Sequence, residues 1–270
     1  MRQGRTAAGL LPAAGRWEPV GAGESGASVF YDAAAARFAK CADPAAVGDL
    51  RAERDRTIWL GEVGVPVAPV LDWRVTDDGA CLVTRAIPGV TADLLSPERL
   101  ARAWPEICRV VRELHSIPVA SCPFDRRLGT MISLARATVG EGRVQAEFLP
   151  ESLQHEPPAD LLERLEVRLA VELRNESRDL VVCHGDLCLP NIVVDPETMT
   201  VSGLIDLGRL GRADRYADIA LLLANARETW PDGPTARRFD RDFAAAYRFD
   251  LDPERLDFYL LLDPLTWPAA

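Results

Sequence analysis

Along these 270 residues the spacing of apolar side chains changes once, near Ile87-Pro88-Gly89, and that change limits what the chain can fold into. Before it, apolar residues come in short alternating runs bounded by Gly, Pro or Asp: 16–21, 27–31, 37–41, 70–75 and 80–87. Runs of that length and period read as strands of an antiparallel sheet. A single helix is expected among them over 44–62, carrying Leu50, Ile58 and Leu60 and ended by Gly64 and Pro66. After the change the period is helical. Ser96-Pro97 pairs an N-cap with a proline at the first helical position, and Leu100, Ala103, Trp104, Ile107, Val110, Val111 and Leu114 follow at three-and-four spacing. Further helices are expected at 128–139, 159–176, 214–229, 234–247 and 253–262, with two short strands at 192–195 and 201–206. The expected class is α+β: residues 1–87 form a small antiparallel β lobe with one helix, and 88–270 a larger, mainly helical lobe. Ligands favour the junction of two such lobes.

Composition removes several alternatives. No apolar run approaches the roughly 20 residues of a membrane-spanning helix, and the short Ala/Leu patch at the N-terminus does not read as a signal peptide. A cytoplasmic protein is expected. The formal net charge of −10 argues against a nucleic-acid partner, which calls for basic patches, and suits a cationic ligand. No obligate protein partner is implied. Six scattered cysteines in a chain of this size are expected to be reduced thiols, and their spacing with histidine matches no zinc site. The basic residues are 30 arginines and one lysine, Lys40. A lone ammonium kept amid arginines points to a place where the planar guanidinium fork does not fit, as around nucleotide phosphates.

The stretch VVCHGDLCLPN at 181–191 carries the most chemistry. An apolar run delivers Asp186 into a loop, Asn191 follows five residues later, and Asp206 ends the next hairpin in LIDLG. A carboxylate, an amide at this interval and a second carboxylate after a hairpin follow the HRDxxxxN and DFG pattern of kinases. Hard magnesium ions require oxygen ligands, which Asn191 and Asp206 provide. Asp186 then faces an acceptor hydroxyl and takes its proton. A turn capped by Asp186 would explain His-Gly-Asp alone, but not the three residues together. His184 is expected to brace the loop.

A phosphoryl donor would be held by the first lobe. Gly21, Gly23, Ser25 and Gly26 lie in GAGESG between two expected strands, where backbone amides can approach phosphates, although a hairpin turn accounts for the same glycines. Lys40 lies on the third expected strand, placed to neutralise phosphates, and Glu53 on the following helix is its natural partner; a surface charge beside Arg54 or Arg56 is the alternative for Glu53. The backbone around Arg85 and Ile87, in LVTRAIPG, is the candidate hinge that reads adenine.

The segments VVCHGDLCLPN and GLIDLGRLGRADRYADIALL resemble the aminoglycoside phosphotransferase family, which has a protein-kinase-like two-lobed fold. GESG at 23–26, ERDRTIWL at 53–60, AIPGV at 86–90, CPFDRRL at 122–128 and LDPLTW at 262–267 look most like its streptomycin 3''-phosphotransferases. The resemblance implies ATP- and Mg2+-dependent phosphorylation of the 3''-hydroxyl of streptomycin, which inactivates the antibiotic and confers resistance. It makes Asp186 the catalytic base, Asn191 and Asp206 the magnesium ligands, Lys40 the phosphate-binding lysine and Glu53 its partner. It places Arg209 beside the phosphate or acceptor, and Glu228 and Asp263 on acidic walls of the drug site. The tail after Asp263 departs from kanamycin-type relatives, which end in acidic and aromatic residues. Kinases of other small hydroxylated substrates, of kanamycin, macrolide or choline type, share the same core, and a nucleotide-binding pseudokinase is the reading from another class.

Overall fold

The computed structural model describes residues 9–20 and 27–267. The chain forms two compact units. One runs to Gly89 and takes in a distant piece, Ser202–Gly208, which no single cut along the sequence expresses; the other comprises Val90–Val201 and the chain from Arg209 onward.

In the first unit β1 (Glu18–Val20), β2 (Ser28–Asp32), β3 (Arg37–Ala42), β4 (Val70–Thr76) and β5 (Gly79–Arg85) form an antiparallel sheet in the order β1-β2-β3-β5-β4. The register sets Cys41 opposite Cys81, Lys40 opposite Leu82 and Ala39 opposite Val83. Successive side chains on a strand point to opposite faces. Ala39, Cys41, Cys81 and Val83 therefore pack with Leu10 on one face, while Ala42, Ala80 and Leu82 pack with Leu50 on the other. Leu50 belongs to α1 (Val47–Glu62), which covers that second face. Residues 3 to 4 apart share one side of a helix. Leu50, Thr57 and Leu60 are buried at that spacing, and Glu53 falls on the same stripe. Lys40 is on the sheet face that α1 covers, for the same geometric reason.

Ser202–Gly208 joins this unit through Pro66 and Val67. Leu204 N donates to Pro66 O at 2.9 Å, and Val67 and Leu204 form a parallel bridge. Gly203 makes the approach possible, since a Cβ there would lie 2.7 Å from Ile87 Cδ1 and 3.0 Å from Pro66 O.

The second unit is built on six helices: α2 (Pro97–His115), α3 (Leu128–Gly140), α4 (Pro158–Asp179), α5 (Tyr216–Thr229), α6 (Gly233–Tyr247) and α7 (Pro253–Leu265). Their starts follow local rules. Asp232 accepts from Thr235 N at 2.7 Å and Asp252 from Glu254 N at 3.0 Å, each followed by a proline in the first turn. The apolar stripe of α2 buries Trp104, which meets Trp230, Phe239 and Phe243. The larger core joins Met131, Ile132, Leu161, Leu165, Phe258, Tyr259 and Leu262 from α3, α4 and α7.

Short strand pairs stitch these helices together. β6 (Val90–Thr91) pairs with β8 (Ile192–Val194), and β7 (Leu180–Cys183) with β10 (Gly211–Asp214). β9 (Val201–Leu204) carries the chain back into the first unit. β10 corrects the expected helix start at 214: the strand runs through Asp214, whose Oδ1 accepts from Tyr216 N at 2.9 Å, and α5 begins at Tyr216. Gly-Arg-Ala-Asp shows no strand period, and only pairing with β7 makes it a strand. All six cysteines are free thiols, five of them buried.

Candidate active site

The first group of candidate residues meets around Lys40. Its Nζ donates to Glu53 Oε2 at 2.8 Å and to Asp206 Oδ1 at 3.0 Å. Burial opposes the ammonium charge, but the Glu53 and Asp206 carboxylates outweigh it and hold Lys40 above the usual lysine range. Burial raises the Glu53 carboxyl against the pull of Lys40, and the charge of Asp206 adds to the rise. Asp206 has φ +57° and a side chain half exposed to solvent. A left-handed backbone is uncommon for any residue but glycine. Here it turns the carboxylate at the end of the returning strand toward Lys40.

One other set of predicted residues belongs to this unit. Arg85 N donates to Pro69 O at 2.9 Å; Pro69 has no N–H with which to return the bond to the Arg85 carbonyl. Ile87 follows two residues later, beyond the end of β5. Gly21, Gly23, Ser25 and Gly26 lie outside the described residues.

The second group surrounds Asp186, in the loop after β7. Asn191 Nδ2 donates to Asp186 O at 2.8 Å and to Asp186 Oδ2 at 3.1 Å. With both bonds made through nitrogen, the amide presents its oxygen elsewhere, and Leu189 N is held in turn by Asn225 Oδ1 at 2.9 Å. Asp186 N donates to His184 Nδ1 at 3.3 Å, so the buried imidazole braces the loop. The loop turns at Gly185, φ +83°, where a Cβ would lie 2.1 Å from Arg209 O. Only glycine satisfies both that conformation and that contact.

The residue that anchors this loop, Asp218, was not singled out from the sequence. It lies in the first turn of α5 and is fully buried. Its Oδ2 accepts from His184 N at 2.7 Å and its Oδ1 from Gly185 N at 2.8 Å, while His115 Nε2 lies 3.1 Å from Oδ2. Burial alone would raise this carboxyl; His115, His184 and the Gly185 N–H hold it below the ordinary 3.8 of an aspartate. His115 Nδ1 completes the chain at Tyr247 Oη, 2.7 Å away. One signal for it was present: an acid inside the otherwise apolar YADIALLLA has to be partnered. His115, Cys183 and Asp218 bring candidate ligand atoms within 4.8 Å of one another, but hydrogen bonds within the unit already engage all three.

Arg209 and Asp263 are brought together in a way the sequence did not suggest. Arg209 Nη1 donates to Asp263 Oδ1 at 3.0 Å and Nη2 to Thr266 Oγ1 at 3.0 Å. Arg126 Nη2 reaches the same Oδ1 at 3.1 Å, and Trp267 Nε1 donates to Asp263 Oδ2 at 2.9 Å. Both Asp263 oxygens are thus engaged within this cluster. Burial lowers the Arg209 guanidinium to about 10 against the pull of Asp263, and the charge of Asp186 is close enough to act on it too. It stays a cation at neutral pH. Glu228 is exposed near the end of α5 and takes no part in this cluster.

A sheet with one helix, a mainly helical remainder and these two groups of residues define a phosphoryl-transfer enzyme of kinase type. Residues 16–259 match the model of the phosphotransferase enzyme family, and the chain belongs to that family, the aminoglycoside phosphotransferases that its motifs resemble. Among its relatives is a streptomycin 3''-kinase from Streptomyces griseus, 57% identical over 258 residues that make up 96% of this chain and 95% of that protein. An aminoglycoside 3'-phosphotransferase from Streptomyces fradiae is 40% identical, over 92% of this chain and 94% of that protein. The structure of aminoglycoside phosphotransferase APH(3'')-Id from Streptomyces rimosus in complex with ADP and streptomycin aligns with a TM-score of 0.93 at 48% identity, covering 99% of this chain and 100% of that one. The fold is the kinase-like fold of this family. No helix among the described residues is long and apolar enough to cross a membrane.

Proposed function

We propose that this chain transfers the γ-phosphoryl group of ATP to the 3''-hydroxyl of streptomycin, inactivating the antibiotic and conferring resistance. The observation that carries the chemistry is the Asp186 loop, whose carboxylate is bonded by Asn191 and whose backbone is bonded to the buried Asp218. The choice of acceptor is supported by the 57% identity to a streptomycin 3''-kinase along nearly the whole chain. A drug bearing guanidinium groups also suits a chain of net charge −10.

The roles follow from the donor sets. Lys40 neutralises phosphate oxygens, and Glu53 keeps the ammonium aimed while Asp206 exchanges its contact with Lys40 for the ligand. The hinge carbonyl of Arg85 and the N–H of Ile87 offer an acceptor and a donor to the adenine edge. The half-exposed Asp206 carboxylate and the amide oxygen of Asn191 are hard donors that fit Mg2+. When bound, that ion supplies charge neutralisation at the phosphate oxygens. Asp186 orients the acceptor hydroxyl and takes its proton as its oxygen bonds to the γ-phosphorus and the bond from that phosphorus to the β,γ-bridging oxygen breaks, releasing ADP. Arg209, a buried cation, stabilises negative charge beside Asp186. Glu228, which is exposed, and Asp263 beside Arg209 are the acidic residues offered to a cationic drug, and a cytoplasmic setting, where ATP is available, is consistent with this reaction.

Purified chain incubated with Mg2+ and ATP, with streptomycin and kanamycin in parallel, tests this reading. Mass spectrometry and NMR should find one phosphate, on the 3'' oxygen of streptomycin. Kanamycin phosphorylated in its place would overturn the acceptor and keep the chemistry.

A further inference from the structure

The last turn of the chain closes on the active-site arginine. After α7 the backbone tightens: Thr266 N donates to Asp263 O at 2.9 Å and Trp267 N to Pro264 O at 3.3 Å. This curl brings the Thr266 hydroxyl and the Trp267 ring back over Asp263. The Arg209 Cζ lies 3.8 Å from the Trp267 ring centroid, within the range of a strong cation–π contact. The indole N–H bonds the very carboxylate that pairs with Arg209, so Trp267 holds the guanidinium by its face and the counter-charge by its edge. The main chain of Arg209 is pressed against Gly185, the residue before Asp186. Trp267 also meets Phe148, ring centroids 5.9 Å apart, in the segment between α3 and α4.

We propose that Trp267 is a positioning residue for phosphoryl transfer: it acts through Arg209, fixing the guanidinium beside Asp186, and Thr266 assists it. This rests on the functional reading above. An arginine has four side-chain torsions to restrain, and Asp263 alone is shared with Arg126. The indole face and the Thr266 oxygen remove the remaining freedom, which matters because small misplacements of a transferring group are costly in rate. A tryptophan that only filled space would not need its N–H on Asp263, and one that only bound drug would not need its face on Arg209.

The test is a double-mutant cycle in the full chain, with Mg2+, ATP and streptomycin, using Trp267→Leu, Arg209→Ala and the pair. Trp267→Leu should lower kcat about tenfold with KM for ATP within about twofold, and it should change kcat less than about twofold when Arg209 is already alanine. Trp267→Phe, which keeps a ring face and loses the N–H, should fall between wild type and leucine. An equal loss in both backgrounds, or a loss confined to KM for streptomycin, overturns the proposal. Should Trp267→Leu not fold, Thr266→Val carries the same cycle, because it removes the Thr266 Oγ1 bond to Arg209. Wild-type turnover of streptomycin is measured first. If it is absent, the functional reading fails separately, and the cycle is followed through ATP hydrolysis by water: a loss that depends on Arg209 supports the positioning role, and an equal loss in both backgrounds overturns it.

Discussion

The charged groups around Lys40 reach water, whereas those behind the Asp186 loop do not. Side-chain exposure is 19% for Lys40 and 50% for Asp206, against 2% for His115 and none for Asp218. Charges in both sets have partners, so the difference lies in what can replace a partner. A nucleotide phosphate or a metal ion can take over a contact of Lys40 or Asp206, because both side chains can be reached from solvent. Nothing can enter around Asp218, whose oxygens are committed to backbone N–H groups and a histidine. The exposed set is suited to exchanging ligands, and the buried set to holding a loop still while chemistry occurs. Arg209 combines the two, with a backbone against Gly185 and a charge held by Asp263.

Substitutions can break this contrast. The largest effect is expected at Asp186: Asp186→Ala should lower kcat by roughly 10²–10⁴-fold, with thermal stability and nucleotide binding kept. Steady-state kinetics and a melting curve check it. Next comes Asp218→Ala, which strands two backbone N–H groups and His115 in the core. It should cost about 3–5 kcal/mol in urea unfolding and lower kcat, although Asp218 touches no substrate. Lys40→Ala should lower kcat/KM for ATP by roughly 10–100-fold, or about 1.4–2.7 kcal/mol, yet cost less stability than Asp218→Ala, because Asp206, one of the two carboxylates it leaves behind, is half exposed to solvent. Equal stability losses in Lys40→Ala and Asp218→Ala would erase the distinction. Since Lys40 is the only lysine, one amine-directed label should attach to one side chain, and ATP should protect it.

The smallest effect sharpens the contrast within the buried set. Asp218 has three donors and is held below 3.8, so its stabilisation is complete above that value and is lost as pH falls through its lower folded pKa. Burial raises Asp214 to about 6 despite Arg255 beside it. The folded state then binds the Asp214 proton more tightly than the unfolded state, and stability gains from this group as pH falls below about 6. Asp214→Asn should remove a gain of about 1 kcal/mol between pH 7 and pH 5. Urea unfolding at the two values reads it; an unchanged difference would place the Asp214 pKa at its ordinary value.

Much of the site was legible because its parts sit at short, regular intervals. Lys40 and Glu53 follow from a strand period and a helix period, and Asp186 and Asn191 from one five-residue step. The anchors were not legible in this way. Asp218 is 32 residues beyond Asp186, and Arg126 sits in CPFDRRL, a block whose sequence named a subgroup but suggested no role. Trp267 appeared only within LDPLTW, another block that named a subgroup and suggested no role for it. The loop amides that Asp218 holds are 33 and 34 residues away, Asp263 is 137 residues from Arg126, and Arg209 is 58 residues from the Trp267 ring that faces it; no period encodes a contact at such distances. Asp263, expected on an acidic wall, also holds Arg126 and Arg209 through Oδ1 and Trp267 through Oδ2, a convergence that no local pattern announced.

By itself the sequence determined the two hydrophobic periods, and with them the sheet, the helices and the side on which Lys40 and Glu53 must lie. It also determined the chemistry, because a carboxylate, an amide, a second carboxylate and a lone ammonium have few uses in that order. Only the tertiary structure decided which buried charges hold the Asp186 loop, that Ser202–Gly208 returns to the sheet unit to bring Asp206 to Lys40, and that the turn after α7 brings Thr266 and Trp267 onto Arg209. The physical reason is range. Periodicity follows from bonds within a few residues, whereas a buried charge must find its counter-charge wherever the fold has brought one.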